Sequence, residues 1–280
     1  SAPDGASDRP QQTDSQPADD HRAVRALMAP HIDLRSGGAC FAHAYHALST
    51  APRPDVFVIL GTGHAGLDHC FAATRKDFET PLGKLTTDAG FIDRLAARFG
   101  DRLFAGEILH KSEHVIEFQT LFLRHLYGNS DIRIVPILCS YAFPMLDEDV
   151  FPEPARTIRE FGTALRETIA ETPGRVCVIA SVDLAHIGPQ YGDPDPVSPK
   201  RLEDNARADG EFLRLLAAGN GAEADAFIRR ESDKRHVCGF PCLHTLMETL
   251  GTAEGRLLQY DYACVDGDAS YVSFASMIFH

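Results

Sequence analysis

The absences in this chain narrow its function first. It holds no apolar run of about 18 residues, the length a helix needs to cross a bilayer, so no membrane span is expected. Positive charge is scarce: 27 Lys and Arg stand against 40 Asp and Glu, a net charge of −13. That balance argues against nucleic acid as a partner, because phosphate contacts need a basic surface. There is no G-x-S-x-G elbow and no phosphate-binding loop, and no Cys-x-x-Cys pair to mark a structural zinc site or a thioredoxin-like centre. No basic-then-apolar leader opens the sequence, so no signal peptide is expected in it. The seven cysteines (40, 70, 139, 177, 238, 242 and 264) form an odd, scattered set. Cys139 and Cys177 sit inside apolar runs, where a thiol packs as a small hydrophobe. This usage suits a reducing compartment better than a disulfide framework, and a cytoplasmic location is the expectation.

The 280 residues, 44% of them hydrophobic, suffice for a large buried core. Residues 1–22, rich in Pro, Gln, Ser and Asp, offer little to bury and read as a disordered tail or linker. From residue 23 to 280 the pattern is that of one domain. Apolar runs ending at Met28, over Val56–Leu60, Ile132–Leu138 and Val176–Ala180 predict strands, as do Leu257–Tyr262 and Tyr271–Ile278. Helical patterns cover Ala39–Leu48, Glu113–Leu126, Pro154–Ile169, Leu202–Ala217, Ala222–Arg230 and Pro241–Leu250. Another, capped by Thr87, runs through Phe91, Leu95 and Phe99. Alternation of this kind predicts a three-layer α/β/α fold around a mixed, largely parallel sheet.

Three apolar segments end in a metal-compatible side chain: His31 after Met28-Ala29-Pro30, His64 after Gly61-Thr62-Gly63, and Cys238 after His236-Val237. Two imidazoles and a thiolate make a three-ligand set that leaves a metal open to water or substrate, provided the three meet in space. Gly61-Thr62-Gly63-His64-Ala65-Gly66 also satisfies G-x-G-x-x-G. However, no convincing helix follows to hold a pyrophosphate, so the glycines are read as a sharp turn that presents His64. Cys238 precedes a predicted helix with Pro241 at its start, a position that lowers a thiol pKa. Asp183 lies three residues before His186 at a strand end, which suits an acid/base imidazole oriented by a carboxylate. His114 and Glu117, at i and i+3, would share a helix face and turn towards one pocket.

These segments together resemble the Memo family, also known as AmmeMemoRadiSam system protein B. The resemblance rests on Ala29-Pro30-His31, Ala42-His43-Ala44-Tyr45, Leu60-Gly61-Thr62-Gly63-His64, Glu113-His114-Val115-Ile116-Glu117, Ser181-Val182-Asp183-Leu184-Ala185-His186 and Val237-Cys238-Gly239. It implies a fold related to class III extradiol dioxygenases and a metal site at His31, His64 and Cys238 suited to iron or copper. It also implies that Asp183 and His186 share that pocket. The chain departs from the pattern in places. Cys238 stands where the extradiol enzymes carry a carboxylate, Gln119 where a His is common, and Phe240-Pro241 where an Arg-His pair follows Cys-Gly. There is also no Trp of the kind that lines the family pocket.

The resulting expectation is a mononuclear non-haem metal oxidoreductase, dioxygenase-like, using Fe(II) (or copper or zinc) and O2 on a small-molecule substrate. His186 and Asp183 would be catalytic, and His114 and Glu117 would bind substrate. The alternatives are a non-catalytic iron- or copper-binding protein of redox control and a peptide-binding interaction module.

Overall fold

The structure is a computed structural model that describes residues 22–267 and 269–280; the tail expected over residues 1–22 lies, but for Arg22, outside the described residues. In chain order the elements are β1 (Ala26–Ala29), α1 (Leu34–Thr50), β2 (Val56–Thr62), β3 (Phe71–Ala73), β4 (Phe78–Thr80), β5 (Gly83–Thr87), α2 (Ala89–Phe99), α3 (Val115–Tyr127) and β6 (Arg133–Cys139). There follow α4 (Pro152–Ala170), β7 (Val176–Ser181), β8 (His186–Ile187), α5 (Pro199–Ala217), α6 (Gly221–Glu231), α7 (Phe240–Leu250), β9 (Gly255–Cys264) and β10 (Tyr271–Phe279).

The main sheet runs β4-β5-β6-β2-β7-β1-β10-β8, with β3 against β6 and β9 against β10. Its centre, β5-β6-β2-β7-β1, is parallel, and its margins are antiparallel. Every residue of β2 is buried, as expected of a strand covered on both faces. Val56, Val58 and Leu60 pack towards Phe91, Phe161, Phe212, Phe227 and Leu243 of α2 and α4–α7. Phe57 and Ile59 pack towards Phe41 and Leu48 of α1 and Leu123 of α3. The alternation along one strand thus divides the helices into two layers.

Caps explain where the element ends differ from expectation. The Asp33 carboxylate accepts the amides of Arg35 and Ser36, so α1 begins at Leu34 rather than Ala39 and takes Gly37 and Gly38 into its interior. Asp88, not Thr87, caps α2 by accepting the Phe91 amide at 2.8 Å. The helix α3 begins at Val115, which leaves Glu113 in the turn ahead of it and His114 as its N-cap residue. No described helix is long and apolar enough to cross a membrane.

The parallel core places β2, β7 and β1 side by side, so their carboxyl ends open onto one rim. His31 lies two residues past β1, His64 two past β2, and Asp183 two past β7. In an open α/β sheet this rim is where ligands are bound.

A candidate metal centre at the strand ends

The ligand atoms of His31, His64 and Cys238 all lie within 4.8 Å of one another. Cys238 arrives from the loop between α6 and α7, and its Sγ is 3.6 Å from His31 Nε2. His31 and His64 meet edge to face with ring centroids 5.1 Å apart. His114 stacks on His64 at 5.8 Å.

The hydrogen bonds behind each imidazole decide which nitrogen is free. His31 Nδ1 is 2.9 Å from the Ser181 carbonyl oxygen, which can only accept, so the ring proton sits on Nδ1 and Nε2 keeps its lone pair. His64 Nδ1 donates to Glu113 Oε2 at 2.8 Å, leaving its Nε2 likewise bare. Donation of the remote ring N–H to a carbonyl or carboxylate is the arrangement that fixes the tautomer of a metal-binding histidine. The bare His31 Nε2 also faces Asp183 Oδ2 at 3.6 Å. A lone pair, a carboxylate and a sulfur around one small space call for a proton or a cation among them, and in this respect the donor set fits a metal.

A buried network aims His31. Gln119 Nε2 donates to the Pro30 carbonyl and to Ser181 Oγ, both at 2.8 Å. Gln119 Oε1 accepts the Tyr45 hydroxyl at 2.8 Å, and Ser181 Oγ donates to the Val115 carbonyl at 2.7 Å. Every polar group of this amide is satisfied, which removes the penalty of burying it. Gln119 therefore fastens both the peptide before His31 and the residue whose carbonyl holds the His31 ring.

Asp183 takes a different role from the one its spacing suggests. Its Oδ1 accepts the amides of His31 and Ile32 at 3.0 and 3.2 Å, so it shapes the turn that carries His31. The His186 ring instead donates Nδ1–H to the Leu184 carbonyl at 3.1 Å, and Tyr191 stands perpendicular to it at 4.9 Å. Glu117 is exposed. The carboxylate that does join the cluster is Glu113, buried and bonded to His64. His114 Nε2 donates to the His31 carbonyl at 3.1 Å from a solvent-exposed position.

Burial dominates the charges. Loss of solvation, with His64 nearby, pulls His31 down to about 3. Burial also lowers His186 from its ordinary value despite Asp183. Glu113 would rise on burial, but its hydrogen bond to His64 and their charge interaction hold it below its usual range. The helix start expected to lower Cys238 is outweighed: desolvation, and then the Asp183 carboxylate, push the thiol well above its ordinary value.

Burial pushes Asp183 up to about 6, although the His31 and Ile32 amides pull it down. In the metal-free protein this shift and that of His31 oppose each other. A depressed imidazole contributes stability above its unfolded value of 6.5 that is lost as pH falls towards 3. A raised carboxyl contributes stability below its unfolded value of 3.8 that is lost as pH rises through about 6. Between these limits each changes stability by about 1.4 kcal/mol per pH unit, with opposite sign. Asp183→Asn removes only the second. With chelator present, the variant is expected to be more stable than wild type at pH 8, by up to ~3 kcal/mol, and to lose that advantage near pH 4. Denaturant unfolding at the two pH values checks this; equal stability at pH 8 would contradict a buried charge at Asp183.

A parallel α/β core with two imidazoles and a thiol at its strand ends defines an α/β protein with a candidate metal site. Comparison makes the class specific: a family profile described as Memo-like protein matches residues 9–278, and the chain belongs to the Memo family. A MEMO1 family protein of Aquifex aeolicus is 28% identical over 261 residues, covering 92% of this chain and 64% of that protein. One of Thermus thermophilus is 27% identical over 237 residues, covering 85% and 66%. One of Methanopyrus kandleri is 30% identical over 262 residues, covering 90% and 82%. The chain thus spans just under two thirds of the length of the first two relatives.

Proposed function

We propose that this chain is a mononuclear metal-dependent oxidoreductase acting on a small molecule, with His31, His64 and Cys238 as the metal ligands. The reading is carried by one observation: two imidazoles have their remote N–H groups anchored and their Nε2 lone pairs free, and one of these lies 3.6 Å from a thiol. Three protein ligands from three loops leave positions open on a bound ion. Fe(II) is the metal we favour, and when bound it would supply one-electron chemistry with O2 at those positions.

The chain's own residues then have distinct tasks. Ser181 and Glu113 keep the two rings in the ligating tautomer. Asp183 holds the His31 turn and contributes negative charge beside the cation. His186, kept neutral by burial, has its Nδ1–H fixed on Leu184 and its Nε2 left as the proton-accepting atom. His114, half anchored and exposed at the rim, is suited to contact a substrate.

The thiolate favours a second reading, a metal-holding protein without turnover, since sulfur also suits copper(I) and zinc. Metal analysis of anaerobically purified protein, followed by oxygen uptake, separates the two. Wild type is expected to carry stoichiometric iron and Cys238→Ala to carry almost none. Stoichiometric iron or copper retained in Cys238→Ala, with both histidines intact, would overturn the ligand assignment. Iron or copper bound without oxygen uptake on any small-molecule substrate would favour the second reading.

A further inference from the structure

We propose that the buried Arg235–Asp209 ion pair is the positioning device of this centre, holding the Cys238 segment in a strained turn and tying it to the segment of Asp183 and His186. The proposal rests on the metal-site reading above. The chain leading to Cys238 is unusual: Ser232, Asp233 and His236 have φ of +52°, +50° and +47°, and none is glycine. L-residues adopt this conformation at a cost and keep it only where the surroundings impose it.

Arg235 is what imposes it. Its guanidinium is bonded to Asp209 Oδ1, to Asn205 Oδ1 at 3.2 Å, and through Nε and Nη2 to Glu231 Oε2 at 3.0 and 2.8 Å. One planar fork therefore reaches α5 and the end of α6 together. Asp233 Oδ1 closes the turn by accepting the Val237 amide at 3.0 Å.

Asp209 is fully buried and is shared. Besides Arg235 it accepts Asn205 Nδ2 at 3.1 Å, the Tyr260 hydroxyl at 2.9 Å and Ser273 Oγ at 2.6 Å. Ser273 Oγ in turn accepts the Ala185 amide at 3.0 Å, and the Arg235 carbonyl accepts the His186 amide at 2.7 Å. The loop after β7 and the loop before α7 are thus bound to the same carboxylate. The last link is Gly239 N–H to the Asp183 carbonyl at 3.2 Å, next to the thiol itself. Arg235 and Asp209 touch no ligand atom; they set where the sulfur stands relative to His31.

The test is a cobalt(II) titration of the metal-free full chain, read by the thiolate-to-cobalt charge-transfer absorption. Wild type is expected to show the band and Cys238→Ser to lack it. If wild type shows no band dependent on Cys238, the metal-site reading itself fails. Given the band, Arg235→Met is expected to weaken cobalt binding roughly 10- to 100-fold and to lose the sulfur band before the histidine-only spectrum. Arg235→Lys, with the charge but not the fork, should recover part of it. Ser273→Ala cuts the Asp209–Ala185 tie without removing a charge and covers the case in which Arg235→Met does not fold. It should weaken the band by a smaller factor. His236→Gly, which takes φ > 0 freely, should partly rescue the band in the Arg235→Met background. A wild-type band and affinity in Arg235→Met, or in Ser273→Ala where Arg235→Met is unfolded, overturns the proposal.

Discussion

Gly239→Ala is expected to empty the proposed metal centre and destabilise the fold at once, although it adds a single methyl next to a proposed ligand rather than removing one. A Cβ at this position would lie 2.5 Å from the Asp183 carbonyl oxygen and 2.6 Å from Val182 Cβ. The first is backbone, so no flexible side chain can yield; the turn carrying Cys238 must move away from the loop after β7. Two ties hold those segments together there, Gly239 N–H to the Asp183 carbonyl and Cys238 Sγ at 3.7 Å from the same oxygen, and a third, Thr62 Oγ1 to the Cys238 carbonyl at 3.2 Å, holds the turn to the end of β2. Overpacking a fitted site typically costs about 1–3 kcal/mol. That corresponds to a melting point lower by on the order of 5 °C. Metal content should fall to the level of Cys238→Ala, because a sulfur displaced by about 1 Å no longer completes the coordination geometry. Gly38→Ala is the control: within α1, a methyl at this position would meet nothing inside 4 Å, and there alanine should stabilise by roughly 0.5–1 kcal/mol. A Gly239→Ala protein that melts like wild type and keeps its metal would show that the two loops are not packed as described.

The ends of the central strands were legible from the sequence because burial on both faces leaves a mark there: an unbroken apolar run that stops at a polar side chain. β1, β2 and β7 each show this, and the residues just past them form the rim of the site. The ties beneath the rim left no such mark. Gln119, Asp209, Arg235 and Ser273 are polar residues within helices, a strand or a loop, and their partners lie as much as 89 residues away in the case of Gln119 and Pro30. Nothing in local spacing distinguishes such a residue from a solvated one. Glu113 shows how a local rule fails. Helical spacing paired His114 with Glu117, but α3 starts at Val115, so Glu117 turns to solvent while the acid before the helix reaches His64. A helix boundary displaced by two residues changed which carboxylate joins the cluster.

Metal affinity is expected to rise with pH from 6 to 8, and the sulfur's proton contributes about tenfold per pH unit to that rise. The Cys238 thiol of the metal-free protein is pushed well above its ordinary value by desolvation and by Asp183, so it stays protonated throughout this window. An ion takes the thiolate, hence one proton leaves for each ion bound. His31, drawn down to about 3, is already neutral and releases none. Below pH 6 the slope should steepen towards two protons, because Asp183 titrates at about 6 and must also lose its proton to face a cation. Calorimetric titration in buffers of different ionisation enthalpy counts these protons directly. Cys238→Asp offers the decisive contrast: a carboxylate at the sulfur's position requires no thiol proton to leave, so this contribution to the slope between pH 6 and 8 should vanish. Wild-type binding with no proton released at pH 7.5 would mean that the sulfur does not take the metal.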